Sequence, residues 1–428
     1  MRIFFWLFTL LLMFSITVTP IVGSAAKDDE HFTALKRFSQ VIDMVESYYV
    51  KDISRPELID DAIKGMLEQL DPHSAYLPPK AFKEMQESTS GKFSGIGIEI
   101  SMEKGQLTVI TPIEDTPAYK AGLLAGDFIL EIDGEATQGM SLMDAVDRIR
   151  GPRGKAVELL ILHKKEQKPV VVEIVRDTIP IKTAKMQELD EGYLLVRLSR
   201  FSDNTTKLMR EAIGQYSEDK PLKGIVLDLR NNPGGLLDQA VLVSDTFLNE
   251  GLIVYIKGKE ESNRKDFSAT PEALAPEVPI VVLINSGSAS ASEIVAGALQ
   301  DQNRALVIGE RSFGKGSVQT VIPMADGAAI KLTTALYYTP GGRSIQAKGI
   351  EPDLIVPFVA PSKEDEEKKD GMFLRESNLS GHLENGGSGK ATDKFEPSDK
   401  VKKMLTRDNQ LRFGLQMVKK LPRLKELR

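Results

Sequence analysis

Cysteine is absent from all 428 residues, which excludes disulfide staples, thiol nucleophiles, Cys-ligated zinc and iron–sulfur clusters together. Histidine is scarce. His31, His73, His163 and His382 are the whole supply, so imidazole-based catalysis has to use one of these four. Basic charge is not in excess either: 55 Lys and Arg stand against 61 Asp and Glu, a formal net charge of −6, and that balance sets up no overall positive field for nucleic acid. Apolar residues at 41% and charged residues at 27% exclude both a polytopic membrane protein and a mainly disordered chain. What remains is a globular protein long enough for about two to four domains.

The two ends of the chain differ from its middle. After Arg2 an almost unbroken apolar run from Ile3 to Val22 leads to Gly23-Ser-Ala-Ala26 and then to Lys27-Asp-Asp-Glu30. About 20 apolar residues followed by small ones make an export signal or an uncleaved membrane anchor, and Pro20 with the small-residue cluster favours cleavage. Residues 1–26 are therefore expected to place the body of the protein in the periplasm or cell envelope, with membrane association through the N-terminus if the segment is kept. Residues 27–90 read as a helical arm. Leu35, Phe38, Ile42, Val45 and Tyr49 recur at helical spacing, and Leu58, Ile59, Ile63, Met66 and Leu70 form a second stripe behind Pro56, a residue suited to a first helical turn. Such stripes need a partner surface, in the same chain or in a second copy. Residues 361–399, rich in charge, Gly, Ser and Asn, read as a solvated linker. From Lys400 to Arg428, ten basic and two acidic residues surround Leu411, Leu415 and Val418. This predicts a basic helix packing through its apolar face, with contact to anionic lipid or an acidic partner as the alternative.

Between these ends lie two blocks of different period. Residues 91–177 are dense in short strand signals, Gly97 to Ser101, Leu107 to Ile110, Phe128 to Ile132, Val157 to His163 and Val170 to Val175, with room for helices at Ala118 to Ala121 and Leu142 to Arg150. The stretch Gly95-Ile96-Gly97-Ile98 carries little side-chain bulk and runs straight into a strand, so its backbone N–H groups can converge on a carboxylate while an added peptide strand docks beside them. With Pro117-Ala-Tyr-Lys-Ala-Gly-Leu-Leu-Ala-Gly-Asp127, this block resembles a PDZ domain. Residues 178–360 alternate strand and helix, as an α/β domain does. Strands are expected at Tyr193 to Leu198, Gly224 to Leu229, Ile253 to Lys257, Pro279 to Asn285 and Ala305 to Gly309, with helices near Thr205 to Tyr216, Leu236 to Leu248 and Ser290 to Gln300. The run from Ser317 to Pro357 is mostly β.

Three turns in this second block carry chemistry. Asn285-Ser-Gly-Ser-Ala-Ser-Ala-Ser-Glu-Ile294 passes from a buried strand into a helix, where a serine hydroxyl projects into a cleft and the next N–H lies at the positive helix end, placed for an oxyanion. Such a nucleophile needs a base. No histidine falls in the α/β block, which leaves a lysine made neutral by burial. Lys315, flanked by Gly314 and Gly316, qualifies if desolvation lowers its pKa by about three units from roughly 10.4. Gln319 can orient the amine without adding a charge. A nucleotide-binding reading of Gly309-Glu-Arg-Ser-Phe-Gly-Lys315 competes, but Gly316 stands where a Mg²⁺-binding Ser or Thr belongs and a strand follows where a helix should. Asp228-Leu-Arg-Asn-Asn-Pro-Gly-Gly235, a strand end with paired glycines, can supply a second oxyanion donor.

Taken together, Leu70-Asp-Pro-His-Ser-Ala-Tyr-Leu77, Gly91-Lys-Phe-Ser-Gly-Ile-Gly-Ile98, Asp228 to Gly235, Ser288-Ala-Ser-Ala-Ser-Glu-Ile294, Phe313-Gly-Lys-Gly-Ser-Val-Gln319 and Tyr338-Thr-Pro-Gly-Gly-Arg-Ser-Ile345 resemble the carboxy-terminal processing peptidases, or tail-specific proteases, from Phe32 to Phe358. The resemblance implies an α+β multidomain fold, with a PDZ domain inserted before an α/β (crotonase/Clp-protease-like) serine peptidase core. It implies Ser290 as nucleophile, Lys315 as general base and Gln319 as the residue orienting the lysine. The oxyanion donors would be the N–H of Ala291 and of either Gly234 or Gly235, and Gly95, Ile96, Gly97 and Ile98 would bind the peptide end. Substrates would be proteins with apolar C-termini, served by no metal or cofactor. An adaptor or activating protein and a homodimer or higher homo-oligomer, formed through the terminal helices, are further expectations. The rival of another class is a catalytically inactive PDZ scaffold.

Overall fold

A computed structural model describes residues 22–103, 105–164, 166–360 and 395–426. The expectations for the apolar segment up to residue 21, for most of the charged linker and for His382 lie outside the described residues. The chain divides into two compact units, the first formed by residues up to Leu77 with 321–324 and 328–332, the second by the remainder.

In the first unit, helix α1 (Val22–Tyr48) is followed by α2 (Arg55–Glu68) and the short strand β1 (Ala75–Leu77). Ser54 caps α2 by accepting the Glu57 N–H, and proline stands in its first turn, the arrangement that satisfies the orphan donors of a helix start. Arg55 ties α2 back to Asp43 and Glu46 of α1, an exposed bridge that solvent screens to little stability. Of the stripe expected here, Leu35, Phe38 and Tyr49 are exposed while Ile42 and Val45 are half-buried, and beside it Phe32, Val41 and Met44 are exposed too, so α1 carries an open apolar face.

The second unit begins with α3 (Pro79–Ser90), then a β-rich module. Its elements are β2 (Lys92–Gly95), β3 (Ile98–Glu103), β4 (Gln106–Pro112), α4 (Pro117–Lys120), β5 (Phe128–Ile132), β6 (Glu135–Ala136), α5 (Leu142–Ile149), β7 (Ala156–Leu162), β8 (Val170–Val175) and β9 (Asp177–Pro180). Strands β3-β4-β5-β7-β8 form an antiparallel sheet whose residues Leu107 and Val109, and Val157, Leu159 and Ile161, alternate into one core as the period of two requires, joined by Ile129 and Ile132 on either side of a register shift in β5. β2 and β9 pair antiparallel, so the chain enters and leaves the module side by side. A capping box between Ser141 and Asp144 starts α5.

Next come β10 (Ala184–Asp190), β11 (Tyr193–Leu198), α6 (Thr205–Asp219), β12 (Gly224–Asp228), α7 (Leu237–Asp245), β13 (Leu252–Gly258), β14 (Arg264–Ser268), β15 (Ile280–Ile284), α8 (Ala291–Asp301), β16 (Leu306–Gly309), β17 (Ser317–Pro323), β18 (Ala329–Tyr338) and β19 (Leu354–Ile355). The central sheet has the order β10-β11-β12-β15-β16-β19, parallel from β11 onward. Its middle strands are buried throughout, which is why they read as unbroken apolar runs and not as alternation. Ile225 and Leu227 face α6, α7 and α8. Val226 faces the opposite side, which is covered by two more helices, α9 (Asp399–Arg407) and α10 (Asn409–Glu426), through Val401, Leu411, Leu415 and Val418. Burying the last three of these is worth on the order of 5 kcal/mol. The C-terminal stretch is thus two helices broken at Asp408, and it belongs to the core.

Candidate active site

Three adjacent parallel strands end on the same side of the central sheet, and each releases one of the three turns singled out in the sequence. β12 ends at Asp228 and opens the Asp228–Gly235 loop, β15 ends at Ile284 before the serine turn, and β16 ends at Gly309 before the lysine loop. In open α/β sheets the carboxyl ends of the strands are where binding clefts form. Hydrogen bonds to backbone carbonyls lace the turns together: Ala289 N donates to Asn232 O (3.0 Å), Ser288 Oγ to Leu229 O (2.8 Å), Ser292 Oγ to Asn232 O (2.9 Å) and Phe313 N to Ser288 O (3.0 Å).

Ser290 sits immediately before α8, buried, with φ 55° and ψ −111°. A non-glycine residue held there costs about 1–3 kcal/mol and persists only where its surroundings over-determine it. Those surroundings are supplied by Glu293, fully buried one turn into α8. Its Oε2 accepts the N–H of Ser290 (2.7 Å) and of Lys315 (2.9 Å), while Oε1 accepts Gly314 N–H (2.7 Å) and Ser312 Oγ (2.5 Å). One carboxylate therefore fixes the serine turn and the lysine loop to each other. Burial pushes the Glu293 carboxyl up, against the pull of the four donors. The hydroxyl of buried Tyr337 is pushed up by burial, against an opposing interaction with Ser290.

The paired glycines have different neighbours. A Cβ on Gly234 would meet Ala289 O at 2.8 Å, Ser290 Cβ at 2.9 Å and Ala291 N at 3.0 Å, whereas a Cβ on Gly235 would strike Phe201 O at 2.0 Å. Gly234 is therefore the one that lies against the serine turn, and its N–H donates to Asn232 Oδ1 (2.9 Å). Lys315 is half-buried and engaged. Gln319 Nε2 donates to Ser317 Oγ (2.8 Å) and Thr333 Oγ1 (3.4 Å). His163 stands in the β-rich module, its Nδ1 against Asp127 Oδ2 at 2.9 Å.

Residues 192–356 match the family model of peptidase family S41, residues 108–162 that of the PDZ domain, and residues 14–81 that of the activating protease CtpB N-terminal domain. A carboxy-terminal-processing protease of Bartonella bacilliformis is 46% identical over 93% of this chain and 92% of its own length. The carboxy-terminal processing protease CtpA of Bacillus subtilis is 36% identical over 77% of this chain and 70% of its own. A solved photosystem II D1 C-terminal processing protease is 32% identical, covers 75% of this chain and 92% of its own, and superposes with a TM-score of 0.45. The chain belongs to the carboxy-terminal processing proteases of peptidase family S41.

In this serine-type protease the β-rich module is a PDZ domain. A cleft of about 200 Å³ in it is lined by Gly95, Ile96, Gly97, Ile98, Val146 and Ile149. The carbonyl of Ile96 accepts Ala118 N–H and that of Gly97 accepts Ile113 N–H. Because the peptide bonds are trans, the N–H groups of Gly97 and Ile98 point the other way. The candidate site holds three residues for which the sequence suggested no role: Glu293, Tyr337 and Asn232. Glu293 could have been found, since Ser290-Ala-Ser-Glu293 has the spacing of a capping box. Tyr337 and Asn232 carry no local signal, because only the packing of β18 and of the β12 loop brings them to Ser290.

Proposed function

We propose that the protease is exported and cleaves proteins whose free, apolar C-termini its PDZ domain has bound. Ser290 Oγ attacks the scissile carbonyl, passing its proton to neutral Lys315 Nζ; Gln319 orients the amine through its carbonyl oxygen. The tetrahedral oxyanion is stabilised by the N–H of Ala291, at the positive end of α8, and by that of Gly234 once it leaves Asn232. The amine of the leaving peptide takes the proton from Lys315, and water, activated by the same lysine, resolves the acyl-enzyme. The observation that carries this reading is the Glu293 clamp, which joins the serine turn to the lysine loop. The Gly95–Ile98 loop, with the N–H groups of Gly97 and Ile98 turned away from residues 113–118, is the seat for the substrate carboxylate.

Export is inferred from the apolar segment at residues 1–26; among the described residues no helix is long and apolar enough to cross a membrane. The open apolar face of α1, within the stretch that matches the CtpB N-terminal domain, supports assembly into a homodimer or higher oligomer and a docking place for an adaptor or activating protein. The test of the catalytic assignment is cleavage of an unfolded protein with an apolar tail. Ser290→Ala and Lys315→Ala should each abolish turnover, and the double variant should lose little more than either single one, as residues acting as a unit do. Activity retained by either purified variant refutes the dyad.

A further inference from the structure

The C-terminal helices lie beyond the matched peptidase stretch, yet they reach one of the catalytic loops through buried charge. Arg230, two residues after the end of β12, is buried, with its side chain 7% exposed. All five of its guanidinium protons are used, the full complement that an arginine can donate. Nε and Nη2 donate to the two oxygens of Asp228 (2.9 Å each), Nη1 and Nη2 to the two oxygens of Asp408 (2.9 and 2.7 Å), and Nη1 also to Gln410 Oε1 (2.8 Å). Arg197 adds a second cation on Asp228 at 3.0 Å, so two carboxylates face two guanidinium groups and the cluster balances in charge. The junction between α9 and α10 makes a second grip: Gln410 Nε2 donates to Val356 O and Asn409 Nδ2 to Pro357 O, just past β19.

From Arg230 the chain runs directly into the segment that touches Ser290. Asn231 has φ 54° and is braced by Asn285, and the Asn232 carbonyl accepts from Ala289 and Ser292. Gly234 follows, against Ser290. We propose that Asp408, assisted by Gln410, is a positioning residue of the active site: the C-terminal helices hold Arg230, and through Arg230 they set the 231–235 loop at the distance from Ser290 at which Gly234 N–H can serve the oxyanion. The inference rests on the proposed role of Gly234. It makes the tail a working part of the catalytic machinery and more than a cover for the sheet.

Asp408 has two separable duties, and they allow the test. Its Oδ1 also accepts the Leu411 N–H at 2.9 Å, which caps α10. Asn is as good a cap as Asp, so Asp408→Asn keeps the helix start but turns an amide toward a guanidinium that needs an acceptor. Leu415→Ala, on the same helix, weakens packing and leaves the charge cluster intact. For the full-length protein and both variants we would measure kcat and KM on a peptide substrate, the inhibition constant of a peptide aldehyde, whose adduct on Ser290 carries the oxyanion, and the thermal midpoint. Loss of one oxyanion donor costs about a hundredfold to a thousandfold, and a displaced donor somewhat less. Asp408→Asn should lower kcat by about tenfold or more and weaken the aldehyde in proportion, with KM unchanged. Leu415→Ala should lower the midpoint at least as far with kcat unchanged. A kcat within about twofold of wild type for Asp408→Asn, or an equal loss of kcat in Leu415→Ala, overturns the proposal. If the wild-type enzyme turns over but binds the aldehyde no better than Ser290→Ala does, the oxyanion assignment itself is wrong, and the positioning role falls with it.

Discussion

Replacing either glycine of the Gly234-Gly235 pair by alanine gives opposite outcomes if the geometry of the serine turn is read correctly. At Gly234, φ is +100°, a region that an L-residue enters at a cost of about 1–3 kcal/mol. The new Cβ would stand 2.8 Å from Ala289 O and 2.9 Å from Ser290 Cβ, where ordinary contact begins at 3.4 Å. The loop and the serine turn must therefore separate by about half an ångström. A misplacement of about 1 Å can cost a hundredfold, and loss of one oxyanion donor as much or more. Gly234→Ala should accordingly fold, with a thermal midpoint lower by several degrees, and turn over about a hundredfold more slowly with little change in KM. At Gly235 the collision is with the Phe201 carbonyl at 2.0 Å, a backbone atom held by the Leu236 N–H. Gly235→Ala should therefore show its effect as lost soluble protein or a collapsed midpoint. The assays are steady-state cleavage of a tailed peptide and thermal unfolding on the same samples. A Gly234→Ala enzyme with kcat within about threefold of wild type would falsify the placement of that N–H in the oxyanion site.

Glu293→Gln turns an amide toward at least one of the N–H groups of Ser290, Gly314 and Lys315; at about 1–3 kcal/mol per stranded buried donor, kcat should drop steeply with a midpoint loss of several degrees. Wild-type turnover in that variant would show that the clamp is dispensable. Amidating the substrate C-terminus removes the charge that the Gly95–Ile98 loop is read as binding, so cleavage at limiting substrate should slow markedly, and equal rates for acid and amide would sink that role. The Asp408 carboxyl lies below the usual carboxylate range: burial opposes this, but hydrogen bonds from Arg230 and from the Leu411 N–H win. A depressed acid contributes stability that is present above its unfolded value, near 3.9, and disappears as pH falls through the folded one. The stability gap between wild type and Asp408→Ala, from denaturant midpoints, should thus be constant at neutral pH and close only below about pH 4; a gap that closes near pH 7 would refute the linkage.

Much of the candidate site was legible in the chain because its parts are local. Ser290, Lys315 and Gly234 each lie in a short turn whose composition, small residues after an apolar strand, announces a strand end and a close approach. The buried strands β12 and β15 announced themselves as apolar runs, and α8 by the serine that starts it. The choice between Gly234 and Gly235 was not local. It depends on which neighbour each glycine faces, Ser290 or Phe201, and that is fixed by the pairing of Phe201 with Gly235, a contact across 34 residues that no spacing rule contains. The same holds for the C-terminal stretch. Its apolar stripe of Leu411, Leu415 and Val418 predicted a packing helix, but the surface it covers, the face of Val226, Val281 and Leu283, is known only once the sheet is assembled. The break at Asp408 then gains its meaning from Arg230, 178 residues away. The sequence by itself determined which residues are candidates for chemistry and which elements carry them, since side-chain type and periodicity are properties of the local chain. Tertiary structure alone decided that three strand ends converge, that Glu293 clamps two of their loops and that the tail grips the third, because these depend on parallel strand order, which is set by global packing.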